Sequence, residues 1–133
     1  MKKRTILIVD NDQSFVEAAR NVLEVEGFQV LTAASSQQGL EHLQENSPDL
    51  IIMDLGTDDG DDGLQFYWAL RGEKPSDFSH IPLIVVTLAY STTLHNFAQY
   101  GYGEFLSIDD LLSKPIDGKA LTAKVKEHLP TAS

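Results

Sequence analysis

The chain of 133 residues contains no cysteine, which rules out disulfides and thiolate chemistry. It is also poor in positive charge. Ten Lys and Arg stand against twenty Asp and Glu, a formal net charge of −10. Nucleic-acid affinity rests on neutralising phosphates with Lys and Arg, so DNA and RNA are not expected as direct partners. Long apolar runs are missing too. Met1-Lys2-Lys3-Arg4 has the basic character of a leader, but the apolar stretch behind it, Ile6 to Val9, stops at Asp10. That is far too short for a signal core or a membrane span. A cytoplasmic protein without membrane association is the expectation.

What is present suffices for a core. The chain is 42% hydrophobic, and its length fits one domain, residues 1–133, with a core from about 5 to 129. Three runs are apolar without alternation: Ile6-Leu7-Ile8-Val9, Leu50-Ile51-Ile52-Met53 and Leu83-Ile84-Val85-Val86. Such runs suit strands covered on both faces, as in a parallel sheet. Weaker strand signals lie at Phe28 to Thr32 and at Leu111-Leu112. Helical spacing predicts helices over Ser14 to Glu26, Ser35 to Gln44, Leu64 to Arg71, Ser91 to Tyr100 and Asp117 to Leu129. Gly27 sits where a helix-ending glycine belongs, Pro48 breaks the second helix, and Asp117 suits an N-cap. Strands and helices alternate five times. The fold class read from this is α/β, a doubly wound five-stranded parallel sheet with helices on both faces. Trp68 and Tyr67 are expected to pack on the sheet or its rim. The four histidines, His42, His80, His95 and His128, show no metal spacing and read as surface residues.

Open α/β sheets bind ligands beyond the carboxyl ends of their strands. The first strand ends on Asp10-Asn11-Asp12, the third on Asp54, the fourth on Thr87 and the fifth on Ser113-Lys114-Pro115. Carboxylates crowded on one edge repel and need a counter-charge. Mg²⁺ suits one or two carboxylates plus waters and a phosphoryl oxygen. Lys114 can hold a second phosphoryl oxygen and Thr87 can donate to a third. A carboxylate so surrounded can act as the nucleophile of phosphoryl transfer.

The ordered set Ile-Leu-Ile-Val-Asp (6–10), Asp-Leu-Ile-Ile-Met-Asp (49–54), Val-Val-Thr (85–87) and Ser-Lys-Pro (113–115) resembles the receiver domain of two-component response regulators. The resemblance covers about residues 5 to 129. It implies a flavodoxin-like (βα)5 fold with strand order 2-1-3-4-5, an order the family illustrates. It implies Asp54 as the phosphorylation site and Asp10 as part of the acidic pair for Mg²⁺. The backbone carbonyl of Gly56 would be a further ligand. Thr87 would be the switch hydroxyl, Lys114 the phosphoryl partner, and the Lys114-Pro115 bond cis. A histidine kinase or histidine phosphotransfer protein would be the donor. A downstream protein would bind the face formed by the fourth predicted helix, the fifth strand and the fifth helix. A homodimer stays open. The family is a signalling module rather than an enzyme, and 133 residues leave no room for its common DNA-binding output domain.

Three positions depart from the family. Asn11 replaces the second acid of the pair, with Asp12 placed to compensate, so weaker Mg²⁺ binding is expected. The loop Gly56 to Gly63 lacks the usual Pro and is more acidic. Leu111 stands where the aromatic switch residue usually does; Tyr102 and Phe105, in the preceding loop, are expected to cover the core edge or form a partner surface, with substitution for that switch as the alternative. These departures keep a second reading open, a pseudo-receiver interaction module that is not phosphorylated. An FMN binder on the same fold is a third, disfavoured because Asp10-Asn11-Asp12 would repel the cofactor's phosphate.

Overall fold

The computed structural model describes residues 3–54, 62–71, 78, 80–88 and 108–129. Five parallel strands form one sheet: β1 (Thr5–Val9), β2 (Gln29–Ala33), β3 (Leu50–Met53), β4 (Leu83–Leu88) and β5 (Asp110–Lys114). Their order is β2-β1-β3-β4-β5. The described helices are α1 (Gln13–Val25), α2 (Ser36–Asn46), α3 (Asp62–Arg71) and α4 (Gly118–His128). The predicted helix over 91–100, the loop after it and the loop 55–61 lie outside the described residues.

Burial on both faces explains why the inner strands read as unbroken apolar runs. Leu7, Val9, Ile51, Met53, Leu83 and Val85 pack on one side with Leu43, Phe66, Tyr67 and Leu70. Ile6, Ile8, Leu50, Ile52, Ile84 and Val86 pack on the other with Ala19, Leu23, Leu121 and Val125. Side chains alternate across a strand, so each run feeds two cores at once. The edge strands are only half covered. β2 shows mostly intermediate burial, as does β5, which is why their sequence signals were faint.

Local chemistry sets the helix ends. The Asp12 side chain accepts from Phe15 N and caps α1. Ser35 caps α2 through Gln38 N, and Asp117 caps α4 through Ala120 N. Gly27 has φ 97°, the left-handed conformation expected of a helix-ending glycine. α2 instead ends on Ser47 in the same region, φ 45°, one residue before Pro48. One expectation needs correcting. Tyr67 is buried, but Trp68 is 49% exposed. Successive residues on a helix diverge by about 100°, so only Tyr67 faces the sheet. Trp68 meets its neighbour edge-on, with ring centroids 5.2 Å apart.

Candidate functional site

The sheet register brings the chemistry to one edge. Val9 is level with Ala33 on one side and Met53 on the other, Met53 with Val85, and Val85 with Leu111. Asp10 and Asp54 therefore step off β1 and β3 together. Their amides are held by the neighbouring strands: Asp10 N donates to Ala33 O at 2.9 Å, and Asp54 N to Val9 O at 3.3 Å. Thr87 is opposite Ser113, and Leu88 opposite Lys114, so β4 and β5 extend past the same level. Asp10, Asp54, Thr87 and Lys114 are all buried.

Three carboxylates converge on one ammonium. Lys114 Nζ lies 2.8 Å from Asp10 Oδ2, 3.3 Å from Asp54 Oδ2 and 3.4 Å from Asp12 Oδ2. The closest of these is a buried ion pair at hydrogen-bonding distance. Asp10 Oδ2 is buried, with the Lys114 ammonium as its close partner. Asp10 Oδ1 accepts from Asp12 N at 2.9 Å. The ammonium also lies over the Phe15 ring, 4.7 Å from its centroid. The Lys114-Pro115 peptide is cis, as expected.

Burial pushes the Asp10 carboxyl above its ordinary value, against the opposing pull of Lys114 and the Asp12 amide. Burial would lower the Lys114 ammonium. Asp10, Asp54 and Asp12 together outweigh it and hold the group above the usual lysine value. Asp12 moves the other way. The Phe15 amide, donated to its carboxylate, holds it below the ordinary aspartate value. A carboxyl with a depressed folded value stabilises above its unfolded value and loses that contribution as pH falls through the folded one. Asn also caps helices well, so Asp12→Asn removes charge and keeps the cap. The variant should melt below the parent at neutral pH, and the gap should close below about pH 3.8, the ordinary value. Melting curves across the acid range test this, and a gap that widens as pH falls contradicts it.

Of the residues singled out in the sequence, Asp10, Asp12, Asp54 and Lys114 are in contact. Thr87 is buried on the adjacent strand. Asn11 is exposed. Gly56, Tyr102 and Phe105 lie outside the described residues. Leu111 is half-buried against the core beneath. Two roles escaped sequence reading. Asp12 is an N-cap as well as an acid; its place three residues before Phe15, at the start of a helical pattern, was the available signal. Phe15 read only as a core position. The histidines also need amendment. His128 Nε2 lies 3.2 Å from Asp110 Oδ2, and His42 Nε2 donates to Thr32 O at 3.1 Å. His80 is exposed.

Comparison with known proteins adds independent findings. The family model for the response regulator receiver domain matches residues 6–126. The KDP operon transcriptional regulatory protein KdpE of Escherichia coli is 36% identical over 124 residues, 93% of this chain and 50% of that protein. The photosynthetic apparatus regulatory protein RegA of Rhodobacter capsulatus is 31% identical over 119 residues, 90% of this chain and 59% of its own. The chain thus spans about half the length of such relatives. A response regulator structure from Chloroflexus aurantiacus superimposes with TM-score 0.80 at 28% identity, covering 98% of this chain and all of its own (100%). The receiver domain of a histidine kinase from Syntrophus aciditrophicus gives 0.77 at 26%, covering 98% and 96%. The chemotaxis regulator CheY4 of Vibrio cholerae gives 0.78 at 23%, covering 96% and 99%, a likeness of fold.

Proposed function

Because the chain belongs to the response regulator receiver family, we propose that it accepts a phosphoryl group on Asp54 from a histidine kinase or histidine phosphotransfer protein. The observation that carries the reading is the convergence of Asp10, Asp12 and Asp54 on the one ammonium of Lys114. A carboxylate oxygen of Asp54 attacks the phosphorus of a phosphohistidine. The phosphorus–nitrogen bond breaks as the phosphorus–oxygen bond forms, and the imidazole leaves with the electron pair and takes up a proton. Catalysis of such a transfer is mainly positioning and charge neutralisation. Lys114 supplies fixed positive charge beside the acceptor, and Thr87 supplies a hydroxyl from the adjacent strand end.

The residues fit a divalent cation. Three carboxylates against one ammonium leave an excess of negative charge, and two of them, Asp10 and Asp54, are buried hard-oxygen donors. Asp10, Asp54 and the Gly56 carbonyl would hold Mg²⁺, with Asn11 and Asp12 contributing at the rim. When bound, the ion neutralises the crowded acids and the incoming phosphoryl oxygens. Asn11 brings no charge, so affinity is lower than at a site with two adjacent acids there.

Receivers are signalling domains. Here the aspartyl phosphate biases a surface that includes β5 and α4, and a protein partner reads it. Among the described residues no helix is long and apolar enough to cross a membrane. Incubation with acetyl phosphate and Mg²⁺ tests the reading. The intact protein should gain about 80 Da, one phosphoryl group in place of a proton. An unchanged mass, with another receiver modified in parallel, favours the unphosphorylated interaction module.

A further inference from the structure

We propose that Phe15 is a positioning residue for the site, holding the Lys114 ammonium against its ring face while that ammonium exchanges carboxylate partners for a phosphoryl oxygen. The inference rests on the phosphoacceptor reading of Asp54.

Lys114 Nζ is 4.7 Å from the Phe15 ring centroid, inside the distance at which a ring quadrupole attracts a cation. The same ammonium touches three carboxylates, so its strongest partners are also the groups the chemistry must free. Asp54 would have to present an oxygen to phosphorus, and Asp10 would serve as a ligand for a divalent cation. Both demands would pull carboxylates away from Lys114. Its side chain is only 7% exposed, so water is a poor replacement partner. Asp12 stays nearby but is 44% exposed and solvent-screened, so the ring is the dry neighbour that neither reaction step consumes.

Phe15 is anchored for this work. It stands in the first turn of α1, and its ring packs partly buried against the cluster of Ile6, Ile8, Ala19 and Leu23. Its amide donates to Asp12 Oδ1 at 3.2 Å, while Asp12 Oδ2 faces Lys114. One residue therefore orients two charged groups: the Asp12 carboxylate through the backbone, the Lys114 ammonium through the ring. Leu111 and Leu112 alternate between the two cores, which puts Lys114 on the Leu112 side of the sheet, the α1 side. An aliphatic side chain at position 15 would fill the core equally well and offer no quadrupole.

The test separates packing from the ring's electrostatics. Phenylalanine at position 15 is replaced by its mono-, di- and trifluorinated analogues, which keep shape and progressively weaken the ring's negative face. The rate of mass gain with acetyl phosphate and Mg²⁺ should fall stepwise along the series, reaching on the order of fivefold with only a small drop in melting temperature. Phe15→Leu should match the trifluoro protein, and Phe15→Tyr should stay near the parent. In a second arm, Lys114 side-chain resonances should lose their ring-current displacement in Phe15→Leu. A rate that is flat across the series overturns the proposal, as do Lys114 resonances unmoved by Phe15→Leu. If the parent gains no mass at all, the phosphoacceptor reading fails, and the resonances alone decide the ring contact.

Discussion

Lys114→Met should destabilise the protein by about 3 kcal/mol in Mg²⁺-free buffer, because removing one partner of a buried ion pair strands the other. Here the stranded partners are two buried acids, Asp10 and Asp54, whose side chains are 1% and 5% exposed. Asp12 is 44% exposed and contributes little, since solvent screens it. Protonation limits the loss: burial already raises the Asp10 carboxyl, so that group is the first to take a proton. Divalent cation should reverse much of the effect. An ion that binds only the folded state stabilises by mass action, and the variant's site is more negative than the parent's. Urea unfolding with and without Mg²⁺ measures both. The parent's midpoint should rise modestly with Mg²⁺ and the variant's more. A variant as stable as the parent without Mg²⁺ contradicts the charge balance drawn for the site. Phosphoryl transfer should slow by roughly 100-fold in the variant, the usual scale for deleting one charge-stabilising group.

The second large effect concerns packing behind the site. A Cβ on Gly39 would stand 2.7 Å from Phe66 Cε1 and 3.0 Å from Val9 Cγ2. Phe66 is fully buried and Val9 only 4% exposed, so neither has room to retreat. Gly39→Val places three methyl-sized groups in that gap and should cost about 1–3 kcal/mol, the scale of core overpacking. Gly39→Ala is gentler. It gains about 1 kcal/mol of helix propensity, which offsets part of the clash. Thermal melts of the pair should therefore show a small shift for Ala and a large one for Val. Equal melting temperatures for Val and the parent would mean that α2 sits farther from β1 and α3 than described. Val9 immediately precedes Asp10, so the Val variant should also lower Mg²⁺ affinity by displacing that carboxylate.

These two cases show what residue order conveys and what it leaves out. The inner strands were legible because burial on both faces demands unbroken apolar residues, and Leu50 to Met53 matches β3 residue for residue. The edge strands were faint because each pairs on one side only. Parallel pairing and strand order followed from the alternation and from the family resemblance. The strand-end chemistry was legible for a related reason: a carboxylate after an apolar run has nowhere to go but the sheet's edge. Asp10 and Asp54 stood out this way, and the structure brings both into contact with Lys114. Partners distant in the chain were not legible. Nothing near Phe15 announces Lys114, and nothing near Gly39 announces Phe66. Those pairings exist only once α1 and α2 pack on opposite faces of β1. Trp68 is half exposed while Tyr67 is buried, because helix geometry turns adjacent residues to different faces.

Locating the phosphoryl group within the chain decides whether Asp54 is the acceptor. After acetyl phosphate and Mg²⁺, the protein is treated with borohydride, which reduces an acyl phosphate to the alcohol, and its peptides are mapped by mass spectrometry. Phosphorylation of Asp54 predicts homoserine at position 54 in the parent and no modified peptide in Asp54→Asn. Homoserine at another aspartate, or an unmodified position 54 in protein that had gained phosphoryl mass, would contradict it.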